Sequence, residues 1–470
     1  MWEPIEKGKG PAYKQMMEQV IQQIEKGNLE PGQKLPPERK FAEAFQVNRS
    51  TAVRTFEELK ARGILESRQG SGWYINQRLW ENTAASRVDW RQLFSQKYEQ
   101  KQDRYSQKIL EAKKADAAFI DLYTGEMPHG ILPKFHFPEL SWETIFEQEA
   151  AISTLGYLPL RERVKNYLAK DQDLSIDQLM ITAGGQQAIF LILQTLLSAG
   201  DAIAVESPSF FYQNPLFKAA GIRLFGIPMD QEGMKLDYLE KAIMKHKIKM
   251  VMVNPNFQNP TAVVMSEQRR KALIDLCRKH RLPIVEDDVF SELDLTNEPV
   301  LPLRVLDPEN VLYIGSLSRV LGKTTKIGWI TAPRSLVSKL ASAQEMMELS
   351  LGILPQLAAA SLFEEDFAQK VEEIRKVLLI KKKQLLQWEK TQAFFQVQPI
   401  PGGYYAWLTW NGKKIDKTVA EQALKFGLGV APGYLFGQSE GMRINFSRLE
   451  KELLPAFSEK MTQLSKLLYF

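Results

Sequence analysis

Five short stretches of this 470-residue chain hold residue types able to bind a small anion and steer its chemistry. Thr182-Ala-Gly184-Gly185-Gln186-Gln187-Ala188 sets two glycines at a predicted helix start, where backbone N–H groups and the helix dipole favour an anion. Glu206-Ser-Pro208-Ser-Phe210 offers a ring, and Asn254-Pro-Asn-Phe-Gln258-Asn259-Pro-Thr-Ala262 offers amides. Glu286-Asp287-Asp288 brings carboxylates suited to a basic ring nitrogen, and Gly315-Ser316-Leu-Ser318-Arg319 brings hydroxyls and a guanidinium. Arg319, Lys326 and Arg443 together form a cationic set fitted to phosphate and carboxylate. Metal chemistry is disfavoured: His129, His136, His246 and His280 lack ligand spacing, and a lone Cys277 makes neither a disulfide nor a cysteine zinc site.

Each stretch follows a predicted β-strand. Apolar runs at Leu179–Thr182, Ala202–Val205, Met250–Val253, Pro283–Glu286, Val311–Ile314 and Ile327–Ile330 are interleaved with predicted helices at Gln186–Ser198 and Glu267–His280. Strands separated by helices imply a mostly parallel sheet, and such sheets bind ligands beyond the carboxyl ends of their strands. That is where the five stretches fall.

In this order the five stretches, with Pro401-Gly402-Gly403 and Arg443-Ile-Asn-Phe446, resemble the fold-type I aminotransferases that use pyridoxal 5′-phosphate (PLP), over roughly 350 residues. The resemblance implies that Gly184, Gly185 and Gln186 cradle the phosphate with Ser316 and Ser318. Phe210 then stacks on the pyridine ring, Asn259 reaches the ring hydroxyl, Asp287 pairs with the pyridine nitrogen, and Arg443 holds a carboxylate. The family's imine-forming lysine, in a Ser-x-Ser-Lys motif, is replaced by Arg319. An imine needs a neutral amine, and a guanidinium with a pKa above about 12 stays charged. Lys326 stands for a phosphate-clamping arginine, Val289 for a tyrosine and Ala262 for a glycine. The expectation is therefore no transamination, with PLP, a PLP–amino acid adduct or another anionic metabolite held without a lysine imine. Lys323 as a substitute lysine and an empty dimerisation scaffold are the alternatives.

The first 80 residues carry 13 basic against 10 acidic side chains, most of the chain's net charge of +5. The spacing predicts a helix over 13–26 with Met16 or Met17, Val20, Ile21 and Ile24 inward, ending at Gly27. Pro36-Pro37 opens a second helix burying Phe41, Ala42 and Phe45. Asn48 caps a third over 49–62, with Val53, Phe56 and Leu59 inward. A hairpin with the tip Gln69-Gly70-Ser71-Gly72 follows. This is a helix-turn-helix with a wing, whose second motif helix would enter a major groove. From Pro11 to Ile75 it resembles the GntR family of bacterial repressors. The resemblance assigns DNA contacts to Arg39, Arg49, Ser50 and Thr51, with Gln69 and Gly70 at the wing tip, and Arg54 lies one helical turn beyond. A winged helix used only for protein contact is the competing reading.

A GntR-like reader fused to an aminotransferase-like body is the architecture of the MocR/GabR subfamily. It implies a homodimer that senses a small-molecule effector and presents two readers to two half-sites on double-stranded DNA. The expected domains are 1–76 (winged helix), 77–116 (polar, partly helical linker with helix over 90–114) and 117–470 (body, with a smaller α+β lobe from about 331). With 44% apolar and 25% charged residues the composition is globular. No run approaches the roughly 18 apolar residues of a membrane span, and a cytoplasmic location is expected.

Overall fold

The computed structural model describes residues 2–6, 10–25, 27–68, 70–76, 105–135, 139–168, 174–298, 300–322, 326–348, 351–363 and 367–469. The chain divides into two compact units, Met1–Gln96 and Lys97–Phe470.

In the N-terminal unit, helices α1 (Ala12–Glu25), α2 (Glu38–Ala44) and α3 (Arg49–Ala61) precede strands β1 (Leu65–Arg68) and β2 (Gly72–Ile75). The strands pair antiparallel, Leu65 opposite Ile75 and Arg68 opposite Gly72. Gly70 and Gly72 have φ of +75° and +108°, a left-handed backbone that lets the chain reverse within three residues. One aromatic core holds the unit: Phe41 packs on Phe56 at 4.8 Å, and Phe56 on Trp73 at 5.5 Å. Met16, Val20, Leu59, Leu65 and Ile75 close around them. Burying each such side chain contributes about 1.5–3 kcal/mol.

Two expectations for α3 need correction. Its inward face is Ala52, Thr55, Phe56 and Leu59, while Val53 is half-buried. Those four recur at i, i+3, i+4 and i+7, and a small alanine lets α3 approach the core closely. Thr55 is accommodated there because its hydroxyl donates to the Thr51 carbonyl at 2.8 Å. Asn48 does sit at the N-cap in extended conformation, but its side chain makes no capping bond. Of the helix expected over 90–114, residues 90–104 lie outside the described residues; the helix seen is Tyr105–Ala115.

In the larger unit a short parallel pair, β3 (Ile120–Asp121) with β14 (Leu428–Gly429), accompanies an eight-stranded sheet. Its strands are β4 (Leu179–Thr182), β5 (Ala202–Ser207), β6 (Arg223–Asp230), β7 (Gly233–Met234), β8 (Ile248–Val253), β9 (Ile284–Asp287), β10 (Val311–Ser316) and β11 (Gly328–Thr331), in the order β4-β11-β10-β9-β8-β5-β6-β7. From β10 to β6 all neighbours run parallel, whereas β11 is antiparallel to both β10 and β4. Helix α4 (Gly185–Leu196) buries Ala188, Ile189, Leu191, Ile192 and Leu193 in a core shared with helix Arg334–Met347. A smaller sheet, β12 (Gln396–Val397), β13 (Tyr405–Thr409), β16 (Met442–Asn445) and β15 (Ala431–Pro432), is antiparallel and packs with helices Phe367–Glu389 and Leu454–Tyr469. No described helix is long and apolar enough to cross a membrane.

Candidate functional site

The carboxyl ends of β4, β5, β8, β9 and β10 bring the five stretches together. Asn254, just beyond β8, is the hub. Its backbone N–H donates to Glu206 at 3.0 Å, its amide donates to the Asp287 carbonyl at 2.5 Å, and its amide oxygen accepts from the Asn259 N–H at 2.8 Å. Asn259 accepts from Arg443 Nη1 at 3.0 Å through its side chain and from the Phe210 N–H at 3.0 Å through its carbonyl. One chain of hydrogen bonds thus ties β5, β8 and β9 of the large sheet to β16 of the small one.

At the other end of the site, Gly184 caps α4 with φ +82°. A Cβ added there would lie 3.8 Å from the Lys326 backbone and 3.9 Å from Ser318 Oγ, so the start of α4, the serines and the Lys326 backbone converge. Ser316 Oγ lies 3.1 Å from both Ser318 Oγ and the Ile327 carbonyl, either of which can take its one proton, and accepts from the Ser318 N–H at 3.2 Å. Gly185 is half-buried at the first helical position. Gln186 is exposed, and its side chain is turned to Asn214, whose amide donates to it at 3.0 Å. Lys326 is exposed, with φ +43°. Lys323 lies outside the described residues.

Asp287 is 3% exposed. Burial pushes its carboxyl up to about 7, Arg319 pulling it down and Asp288 adding to the rise. Glu206 is pushed up to about 8 by burial against the hydrogen bonds from Asn254 and Gln258. Arg319, on the short helix Ser318–Leu321, reaches into the smaller lobe. Its Nη1 donates to the Gly125 carbonyl at 3.1 Å, to Tyr404 at 3.1 Å and to Tyr405 at 3.5 Å, with the guanidinium 4.7 Å from the Phe290 ring centre. Arg443 is stacked between Tyr405 and Phe436, at 4.1 and 5.1 Å from their ring centres. Its Nη2 donates to the Tyr123 carbonyl at 3.0 Å, while its buried Nε has no partner among the described residues. Sequence reading placed Asn254 in its amide stretch without giving it a role, and missed Tyr404, Tyr405 and Gly125. The tyrosines directly follow Pro401-Gly402-Gly403, the one local signal that pointed near them.

In the N-terminal unit, Arg39, Arg49, Ser50, Arg54 and Gly70 are exposed and Thr51 is half-buried. Gln69 lies outside the described residues. Glu38 accepts from Arg49 at 3.1 Å and from the Trp73 indole N–H at 3.2 Å, which ties the start of α3 to the wing. Arg39 pairs with Glu43 at 3.3 Å, and Arg54 lies 4.0 Å from the Tyr13 ring centre. Exposed pairs of this kind are worth about 0–1 kcal/mol, so a phosphate or base edge can replace the carboxylate.

Fold and site define a winged helix-turn-helix of the DNA-binding kind joined to a fold-type I aminotransferase body. Residues 12–75 match the model for bacterial regulatory proteins of the gntR family, and residues 120–460 match that for aminotransferase class I and II. The HTH-type transcriptional regulator YdfD of Bacillus subtilis is 31% identical over 93% of this chain and 92% of its own. Aromatic-amino-acid aminotransferase 1 of Thermococcus litoralis is 30% identical over 70% of this chain and 80% of its own. Among solved structures, the kynurenine aminotransferase of Pyrococcus horikoshii superposes with a TM-score of 0.71 at 27% identity, covering 81% of this chain and 98% of that one. The chain belongs to the class I and II aminotransferase family through its body and, by its gntR-type reader, is homologous to the MocR-type transcriptional regulators.

Proposed function

We propose that this protein is a cytoplasmic homodimeric regulator that reads two half-sites on double-stranded DNA and whose body binds a small anionic effector without covalent attachment and without transaminating it. The observation that carries the reading is Arg319, at the position in Ser316-Leu-Ser318-Arg319 where the aminotransferase motif has its lysine. A guanidinium cannot become the neutral amine that attachment needs. Here burial works against its charge, but Tyr404, Tyr405 and Asp287 outweigh burial and raise its pKa above the ordinary range.

The remaining residues fit PLP, or a PLP–amino acid adduct, held non-covalently. Gly184, Gly185 and the backbone at Gln186 would take the phosphate with Ser316 and Ser318. Phe210 would cover the ring and Asn259 would meet its hydroxyl. Asp287 would pair with the ring nitrogen, and Lys326 would add charge at the exposed edge. Arg443, with its unpartnered buried Nε, would take a carboxylate. PLP supplies an electron-accepting ring when bound; this chain's residues bind and orient it, and the proton shuttle that a lysine provides is missing. Another phosphate- or carboxylate-bearing metabolite would use the same cations.

A second copy is supported by an apolar stripe on the body. Trp142 and Phe146, 66% and 60% exposed, stack at 5.8 Å beside helix Ile353–Leu362 with its exposed Leu354. In the reader, the exposed Arg49, Ser50 and Arg54 of α3 are spaced to meet base edges and phosphates, Arg39 flanks them, and Gln69 and Gly70 would lie along the adjoining groove.

Calorimetric titration of PLP, followed by borohydride reduction and peptide mapping, tests the body. Binding with no reduced adduct is expected. An adduct on Lys323 overturns the non-covalent reading, and absence of heat for PLP, its amino acid adducts and simple phosphates favours the scaffold. Footprinting of the upstream region of its own gene should show two protected half-sites.

A further inference from the structure

A cavity of about 600 Å³ opens in the body beside the candidate site, and none of Gly184, Asp287, Ser318, Arg319 or Arg443 lines it. Its floor includes Asn256, Asp288, Arg304 and Tyr313, all under 9% exposed, and Glu292, Asp294 and Glu298 stand around it. Cavities that stay empty are apolar, whereas a space this large lined by polar groups holds water that a hydrophilic ligand can displace. The volume lies within the range of small-molecule sites, about 300–1,000 Å³.

The lining also states the sign of the ligand. Glu292, Asp294 and Glu298, together with Asp288, whose carboxyl is pushed up by burial, face two guanidiniums, Arg304 and Arg375. Arg375 is partly engaged elsewhere, donating to the Glu292 carbonyl at 2.7 Å and lying 3.6 Å from Glu372. Asp288 accepts from Asn256 at 2.9 Å and from the Tyr313 hydroxyl at 3.1 Å, which fixes an acceptor at the floor. Phe257 and Val264 supply apolar wall for a short carbon skeleton.

We propose that this cavity is a second ligand site, which takes a small hydroxyl-bearing organic amine through the carboxylates of Glu292, Asp294 and Glu298, with Asp288 as a hydrogen-bond acceptor at the floor. Asn256 and Phe257 belong to the same loop, 254–262, whose Asn259 holds Arg443, so an occupant here presses on the loop that shapes the anion site. The inference does not depend on how the anion site is used.

Matched linear polyols make the test: N-methylglucamine (cationic), sorbitol (neutral) and gluconate (anionic), each titrated calorimetrically into the full-length protein. N-methylglucamine should bind at least tenfold more tightly than sorbitol, with gluconate weakest. Glu298 is exposed, so Glu298→Lys should fold normally, as circular dichroism would verify, and weaken N-methylglucamine at least tenfold. Glu292→Gln should also weaken it, while Glu143→Gln, an exposed carboxylate on helix Trp142–Ala150 away from the cavity, should leave it unchanged. No binding of N-methylglucamine, equal binding of the three polyols, or affinity indifferent to both cavity carboxylate variants overturns the proposal. An equal loss in Glu143→Gln would show a general effect of surface charge and overturns it equally.

Discussion

Arg319 and Tyr404 are joined by a hydrogen bond of 3.1 Å from the guanidinium to the phenol oxygen, and both also donate to the Gly125 carbonyl at 3.1 Å. The bond links the end of β10 to the segment that leads into β13, so the side chain at position 319 spans two lobes of the body. A lysine ammonium there would be a shorter point charge and could not reproduce the planar fork. On the function proposed above, an arginine at the lysine position of the aminotransferase motif would do two things at once: withhold a nucleophile and add a strap.

Arg319→Lys separates these effects. The variant should form a borohydride-trapped PLP adduct that maps to residue 319, which the parent lacks. It should also lose the bond to Tyr404 and melt at a lower temperature, by roughly 1–3 kcal/mol for a charged hydrogen bond removed. Peptide mapping and thermal melts measure the two. An adduct elsewhere in the parent would defeat the assignment of position 319.

The reader has its own strap in Glu38, shared by Arg49 and Trp73. Arg49→Ala should weaken specific operator binding by about 1–3 kcal/mol if the arginine meets a guanine, and reduce its salt dependence. Glu38→Gln should keep both hydrogen-bond partners within reach yet free the Arg49 charge, so nonspecific affinity should rise and discrimination fall. Fluorescence anisotropy on operator and scrambled duplexes at two salt concentrations decides it; identical curves for Arg49→Ala and the parent would remove α3 as the reading helix.

Much of this was legible in the sequence, for identifiable reasons. The strand-end positions of Gly184-Gly185, Asp287 and Ser316-Leu317-Ser318 were legible because each lies at the end of an apolar run or just after one. β6 escaped notice because its residues are mostly half-buried or exposed and make no continuous apolar block. Tyr404, Tyr405 and Gly125 were invisible as partners of Arg319 because they are 85, 86 and 194 residues away in the chain, and no local pattern encodes that distance. Val53 was misplaced because valine and alanine both read as apolar, and only packing shows which of two neighbouring rows of α3 turns inward.

The buried carboxylates predict an unusual pH dependence of stability. Glu206, Glu286 and Asp287 are all raised by burial, to about 8, 7 and 7. The folded chain then holds protons that the unfolded chain has released. Their contribution is fully present below the ordinary carboxylate range and is lost as pH rises through 7 to 8. Asp121 and Asp230, lowered despite burial by their hydrogen bonds and nearby cations, act in the opposite direction at acid pH. Thermal melts should therefore fall between about pH 5 and 8 and level off above that, each group adding at most about 1.4 kcal/mol per pH unit. Glu206→Gln should flatten that slope and melt higher than the parent at pH 9. A parent slope of zero, or one unchanged in the variant, would count against protonated Glu206.

Gly328 tests the anion cradle from behind. A Cβ at this position would stand 2.8 Å from the Gly184 carbonyl carbon and 2.9 Å from both Gly184 Cα and the Gly315 oxygen, all backbone atoms that cannot swing aside. Gly328→Ala must therefore push β11 away from the start of α4, at a cost of roughly 1–3 kcal/mol typical of overpacking. Because Gly184 sets the direction of the first N–H groups of α4, displacing it should weaken inorganic phosphate and PLP at least tenfold by calorimetry. Gly130→Ala, where nothing lies within 4 Å of the added atom, is the control and should change neither quantity. If Gly328→Ala melts lower but binds phosphate as the parent does, the anion does not sit on α4, and the cradle must be sought among Arg319, Lys326 and Arg443 instead.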